Sequence, residues 1–256
     1  MEAKALGFDL SGQVAMVTAS AKGIGRACAV ALATAGADIV LGLRDGGGSK
    51  ELAAEIEALG RKVLRVQMDM TRMAEITDAA QKAEKAFGRI DILVNNAGIG
   101  FPNPVEKVPE ADFDKTIAVN LKGTFFASQA VGKIMIRQKS GRIINISSQA
   151  GVIALASESV YCMTKAAISH FTRCLALEWA PHGITVNAVA PTFIDTPGAH
   201  HWLEDEAFRQ SVIRRIPLGR VGEAMEVARP VVFLASPAAS LITGATLLID
   251  GGWSLA

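Results

Sequence analysis

The chain has 256 residues, half of them apolar and a fifth charged, which is enough apolar surface for a large core and unlike the composition of a disordered segment. Lysine and arginine total 26 against 25 aspartates and glutamates, so no excess positive field draws it to nucleic acid or anionic lipid, and a small-molecule ligand is the expected partner. The start, with Glu2, Lys4 and Asp9, lacks an apolar targeting core, and no stretch approaches the ~18 uninterrupted apolar residues of a membrane span, so neither export nor membrane insertion is expected.

In chain order, short β-branched runs alternate with helical periodicities. A strand at Val14 to Thr18 leads to a helix at Gly25 to Ala35, and a strand at Ile39 to Leu43 to a helix at Glu51 to Leu59. Strands at Val63 to Met68 and Ile92 to Val94 flank a helix at Arg72 to Phe87, and a long helix from Glu110 to Gln138 follows. Then come a strand at Arg142 to Ile146, a helix at Ser159 to Ala180, a strand at Thr185 to Ala188, a helix at Glu223 to Ala235 and a last strand at Thr246 to Ile249. This alternation predicts an α/β fold in which a doubly wound, seven-stranded parallel sheet carries helices on both faces, joined by right-handed crossovers. No linker or repeat divides the chain, so one domain over 1–256 is expected, with Gly46-Gly47-Gly48 as a loop after the second strand. The long connection from Pro191 to Pro217, carrying Phe193 and Trp202, is a candidate substrate lid.

Cys28, Cys162 and Cys174 form an odd set without C-x-x-C spacing, which suits packed thiols in a reducing cytoplasm. His170, His182, His200 and His201 show no metal-ligand spacing, and no catalytic metal is expected.

Two segments carry ligand chemistry. After the first strand, Thr18-Ala19-Ser20-Ala21-Lys22-Gly23-Ile24-Gly25 places small residues at a helix N-terminus, where backbone N–H groups can approach a pyrophosphate. Tight strand-to-helix turns also need glycine for purely steric reasons. After the fourth strand, Asn95-Asn96-Ala97-Gly98 lies at the switch point of such a sheet, and each asparagine can either tie strand ends together or face a ligand.

These pieces, with Asp69-Met70-Thr71, Asn120, Ser148, Tyr161-x-x-x-Lys165, the Pro191 segment with Thr196, and Asp250-Gly251-Gly252, resemble the classical short-chain dehydrogenase/reductase family over essentially the whole chain. The resemblance implies a Rossmann-type fold and NAD(P)-dependent interconversion of an alcohol and a carbonyl by direct hydride transfer. It implies a cofactor held by Thr18, Ser20, Lys22, Gly23, Ile24, Gly25, Asp69, Met70, Asn95, Ala97, Gly98, Tyr161, Lys165, Pro191, Ile194 and Thr196. Two departures stand out: Ala19 replaces the usual first glycine, so a negative φ is expected there, and Thr192 follows Pro191 where glycine is common.

Tyr161 is the only tyrosine, and Lys165 four residues on shares its helix face. A phenol with a pKa near ~10 is too weak an acid to serve as a base at neutral pH without a neighbouring cation, and an ammonium can supply one. An isolated pair of this kind more often combines a core tyrosine with a solvated lysine. Here Ser148 lies thirteen residues before Tyr161 at a strand end, as the resemblance requires, and can hydrogen-bond the substrate oxygen. Its neighbour Ser147 should point to the other face. The resemblance gives Asn120 a water-mediated link to Lys165; a helix kink or an inter-helix hydrogen bond is the alternative.

Counting on from the glycine turn, the end of the second strand offers Leu43-Arg44 where a carboxylate would grip the NAD ribose, so Arg44 and Lys22 favour NADP, while Asp45 leaves NAD open. For the substrate, Gln149 and Glu158 suit hydroxyl-bearing molecules, whereas Phe101, Phe193 and Trp202 suit an apolar ketone or acyl group. Apolar faces on Glu110 to Gln138, Ser159 to Ala180 and Leu247 to Leu255 predict a homo-oligomer, a homotetramer as in many similar enzymes. Two other readings are a catalytically silent nucleotide-sensing or scaffold protein on the same fold, and an epimerase or dehydratase, for whose larger substrate domain little chain remains after Ile184.

Overall fold

The computed structural model describes residues 7–46 and 48–255, without the side chain of His201; Glu2 and Lys4, Gly47 of the glycine loop, and that histidine's side chain lie outside the described residues. The chain order is β1 (Val14–Thr18), α1 (Gly23–Thr34), β2 (Asp38–Leu43), α2 (Lys50–Ala58), β3 (Val63–Gln67), α3 (Met73–Phe87) and β4 (Ile92–Asn95). It continues through α4 (Glu110–Ile117), α5 (Thr124–Gln138), β5 (Gly141–Ile146), α6 (Ser159–Trp179) and β6 (Ile184–Pro191). It closes with β7 (Ile194–Asp195), α7 (His200–Leu203), α8 (Glu206–Ile213), β8 (Gly222–Glu223), α9 (Ala224–Ala235) and β9 (Thr246–Ile249).

Seven strands form one parallel sheet in the order β3-β2-β1-β4-β5-β6-β9. β1 and β4 are buried along their whole length, as strands covered on both faces must be. Alternate residues serve opposite layers: Ala15 and Val17 pack with α1, α2 and α9, while Val14 and Met16 pack with α3, α5 and α6. After β1 the chain winds outward to β2 and β3, then crosses back to β4 on the other side, so the C-terminal ends of β1 and β4 open a crevice between them.

Two expected elements take a different form. The helix predicted over Glu110 to Gln138 is broken by a π-helical segment, Ala118–Gly123, with Asn120 buried inside it. The apolar periodicity runs through unbroken, because one wider turn shifts the face without changing the residue types that cover it. The connection from Pro191 to Pro217 is folded rather than irregular: β7 pairs with β8, and Val212, Ile216 and Trp253 build a separate core with Phe193 and Phe208.

Candidate active site

At the crevice, Lys22 enters α1 in an extended conformation; no side chain caps the helix and no acidic residue occupies its first turn. The first N–H groups of α1 therefore face out without a side-chain acceptor, which is the arrangement that receives an anion. Gly25 has no room for a side chain, since a Cβ there would lie 2.5 Å from Asn96 Nδ2 and 2.6 Å from the Ala19 carbonyl. Across the opening Thr196 approaches: a Cβ on Gly23, whose φ is +57°, would lie 3.4 Å from the Thr196 Cβ. The turn, the Pro191 segment and the switch point thus form a cradle lined by backbone, and these residues fit a dinucleotide pyrophosphate.

The expectation for Ala19 is overturned. Its φ is +51°, so the turn imposes the left-handed conformation although alanine carries the Cβ that makes it unfavourable. Three side chains among the residues implied to hold the cofactor bond to the scaffold. Thr18 Oγ1 accepts the N–H groups of Asn96 at 2.9 Å and Ala97 at 3.0 Å. Buried Ser20 places its Oγ 3.4 Å from the Gly42 carbonyl. Asn95 Nδ2 donates to Ser128 Oγ at 2.9 Å and Asn145 Oδ1 at 2.8 Å. Asn96 donates to the carbonyls of Thr18 at 3.0 Å and Ala19 at 3.2 Å, so both asparagines tie strand ends together and what this segment presents to a ligand is backbone.

At the far end of the crevice, β2 stops at Leu43 and Arg44 stands exposed just beyond it. Asp45 turns back on its own loop, its Oδ1 accepting the Gly48 N–H at 3.3 Å. For Asp69, partial burial works to raise the carboxyl pKa, but hydrogen bonds from the Thr71 N–H and hydroxyl, with Arg72 and Arg44 nearby, outweigh it and hold the group below its usual range. Met70 is buried against Gly123 of the π segment.

The second half of the site is the face of α6. Glu158, Tyr161 and Lys165 follow at helical spacings of three and four, and the Lys165 ammonium lies 5.5 Å from the Tyr161 ring centroid. Ser148 lies two residues beyond the end of β5; its Oγ accepts the Ala150 N–H at 3.1 Å, lies 3.4 Å from the Pro191 carbonyl and hydrogen-bonds the Tyr161 phenol. Surrounding protein pushes Tyr161 up to about 12, the Ser148 hydrogen bond working against that rise and the Glu158 charge adding to it. Burial alone pushes Lys165 down to about 8, and its ammonium donates to the Ile146 carbonyl at 2.8 Å. Ser147 takes the structural place expected of it, donating to the Lys165 carbonyl at 3.0 Å beside Ser169 Oγ at 2.8 Å.

Asn120 is a clamp. Its Oδ1 accepts the Ile99 N–H at 2.9 Å, and its Nδ2 donates to the Ile99 carbonyl at 2.8 Å and Thr164 Oγ1 at 3.0 Å. It makes no direct bond to Lys165, although both border Gly98, where a Cβ would lie 3.2 Å from Lys165 Nζ and 3.7 Å from Asn120 Oδ1. Among the substrate candidates, Phe193 is held in a small aromatic cluster, stacked 5.8 Å from Trp253 and edge-on 5.7 Å from Phe208, rather than free to line a pocket. Trp202 is partly exposed over Phe208, Gln149 is buried with its Oε1 unpartnered, and Glu158 is half-buried. Pro191 and Ile194 are buried at the start of the Pro191 to Pro217 connection. Gly100 is an addition the sequence alone did not single out: a Cβ there would lie 3.2 Å from Tyr161 Cδ2. Only its nearness to the Asn95 to Gly98 segment could have flagged it.

Among the described residues, no helix is long and apolar enough to cross a membrane. Residues 18–254 match the family described as Enoyl-(Acyl carrier protein) reductase. Over 249 residues the chain is 42% identical to the NAD-dependent glycerol dehydrogenase of Listeria innocua serovar 6a, covering 97% of this chain and 96% of that one. It is 40% identical over 249 residues to the D-threitol dehydrogenase of Mycolicibacterium smegmatis, covering 97% and 95%. The crystal structure of a gluconate 5-dehydrogenase from Burkholderia cenocepacia J2315, in complex with NADP and tartrate, matches with a TM-score of 0.95 at 36% identity, covering 98% of this chain and 99% of that one. The chain belongs to the classical short-chain dehydrogenase/reductase family. It is an NAD(P)-dependent oxidoreductase acting on CH–OH groups.

Proposed function

We propose that this chain interconverts a secondary alcohol and a ketone on a small hydroxylated substrate, with Tyr161 handling the proton. The observation that carries this reading is the meeting of Ser148, Tyr161 and Lys165 at the C-terminal edge of the sheet, on the same side as the uncapped N-terminus of α1. When bound in the cradle, the nicotinamide cofactor supplies or accepts the hydride. Tyr161 donates its phenolic proton to the substrate oxygen in reduction and takes it back in oxidation, while Ser148 holds the same oxygen. Lys165, fixed by the Ile146 carbonyl, places positive charge beside the phenol, and Asn120 holds Ile99 and Thr164 so that the α6 face stays in register with the loop after β4. The segment 191–217 covers the crevice as the lid of a single unit. The names of the glycerol and threitol dehydrogenases support a polyol as substrate.

Replacing Tyr161 by Phe should lower kcat about a hundredfold or more while cofactor binding, followed by fluorescence titration, survives. A variant with near-native turnover would falsify the assignment, and a wild-type protein that binds cofactor without turning over any alcohol or ketone would favour the nucleotide-sensing reading.

We further propose NADP as the preferred cofactor. Arg44 is free to clamp a 2′-phosphate with Lys22 opposite, while Asp45 is engaged with Gly48. Arg44→Ala should weaken NADP use about ten- to a hundredfold and leave NAD use little changed, measured as kcat/KM for each. Equal losses with both cofactors, or a wild-type preference for NAD, would count against it. A homotetramer assembled through α4, α5, α6 and the β9 edge is proposed on the apolar surfaces there, and a cytoplasmic setting on the three free thiols, of which buried Cys28 is pushed up to about 12.

A further inference from the structure

The half-buried Glu158 carboxylate is the one charged group on the reacting face of α6 that the chemistry above does not use. It stands at the helix N-cap, yet its side chain accepts no N–H of the first turn. Among the described residues, no side chain makes a hydrogen bond or ion pair with it; Lys115 sits with its ammonium 5.7 Å from the ring centroid of Phe101, and Lys165 donates to Ile146. Its oxygen is nevertheless beside the reaction centre. A Cβ on Gly100 would lie 3.2 Å from Tyr161 Cδ2 and 3.5 Å from Glu158 Oε2, so glycine keeps open a gap bounded by the phenol ring and the carboxylate.

A carboxylate partly withdrawn from water and left without donors is unfavourable by itself, and this one also opposes ionisation of the tyrosine it faces. Both penalties are relieved when a ligand brings hydroxyl donors into the gap and aggravated when it brings a second anion. We propose that Glu158 determines substrate class: it accepts a hydrogen bond from a hydroxyl next to the reacting carbon, selecting neutral polyols and rejecting substrates with a carboxylate or phosphate at that place.

This inference rests on the alcohol–ketone reading above and concerns only the group next to the reacting carbon, so a carboxylate several carbons away, as in gluconate reacting at C5, falls outside it. The likeness in fold does not decide between the two classes, because one side chain in the gap sets the sign of the field there.

The test compares kcat/KM for three four-carbon probes: threitol, threonate (the same carbon chain ending in a carboxylate) and 2-butanol, which keeps a single hydroxyl. Wild-type protein should favour threitol over threonate by about tenfold or more, and added salt should narrow that ratio. Glu158→Gln, which keeps an acceptor but removes the charge, should shrink the ratio about tenfold by raising threonate use. Glu158→Ala should lower the threitol to 2-butanol ratio about ten- to a hundredfold, mostly through KM. Wild-type protein using threonate as well as threitol, or using 2-butanol alone, overturns the inference without needing any variant to fold. Ratios unchanged in folded Glu158→Gln overturn it too. Failure of all three probes with a protein that binds cofactor overturns the proposed function itself, a distinguishable result.

Discussion

Tyr161 and Lys165 are each moved toward their neutral forms by the protein around them, the phenol to about 12 and the ammonium to about 8. The phenol is then well suited to donate a proton at neutral pH and poorly suited to accept one, so the two directions of reaction should respond oppositely to pH. Reduction needs protonated Tyr161, and its kcat/KM should stay flat from about pH 6 to about pH 9. Oxidation needs the phenolate, whose population rises with pH up to the tyrosine pKa, so kcat/KM should climb across the same range. The climb should slacken above about 8, where Lys165 loses the proton that supports the phenolate. Parallel initial-rate profiles for the alcohol and its ketone check this; oxidation that reaches a plateau below neutrality would show a phenolate stabilised far beyond what these contacts provide.

At the scale of elements, the turn between β1 and α1 is the most demanding piece of backbone. It forces +51° on Ala19, where the left-handed conformation costs an L-residue roughly 1–2 kcal/mol. In ordinary backbone an alanine to glycine change loses about 0.5–1 kcal/mol through added chain entropy. Relief of the turn should outweigh that loss, so Ala19→Gly is expected to stabilise by up to about 1 kcal/mol, read from urea unfolding at fixed protomer concentration. A loss of stability would mean that the Ala19 Cβ packs well enough to offset the conformational penalty. The π segment Ala118–Gly123 is the corresponding device on the other side of the crevice, where Asn120 joins the loop after β4 to α6. The connection between β6 and α9 resembles neither: its Phe193 and Phe208 pack on Trp253 near the end of the chain, which ties the connection to the rest of the fold.

For the whole molecule, α5 and the edge strand β9 leave large apolar side chains uncovered. Phe125 on α5 is 46% exposed while stacked 5.4 Å from Phe171 of α6, and Leu247 and Leu248 face outward on the edge strand β9. Two such surfaces, each meeting its own copy about a two-fold axis, generate a closed tetramer without leaving an open edge. Phe125→Arg should therefore break one interface and yield a smaller species at micromolar concentration, detected by light scattering. A wild-type monomer, or a variant that assembles unchanged, would overturn this arrangement.

The sequence by itself determined the parts that local physics governs. Strand and helix order, the parallel sheet and its closed faces follow from apolar periodicity, and the Tyr161–Lys165 face follows from helical geometry. The glycine turn was legible because steric limits leave few residue types that can bring backbone close to an anion. Only the tertiary structure decided what depends on neighbours distant in the chain. Whether an asparagine or threonine hydroxyl faces a ligand or ties two strands cannot be read from its identity, and Thr18, Asn95 and Asn96 took the tie because β1, β4 and β5 bring their partners within reach. The same holds for Ala19, whose neighbours impose a φ its own side chain disfavours, and for Phe193, drawn into a small aromatic core by Trp253, sixty residues further along. Glu158 is the sharpest case. Its spacing from Tyr161 made it a candidate for hydroxyl-bearing substrates, but only the meeting of Gly100 with α6 shows its oxygen bordering the same gap as the phenol ring, with no N–H of the first turn bonded to it.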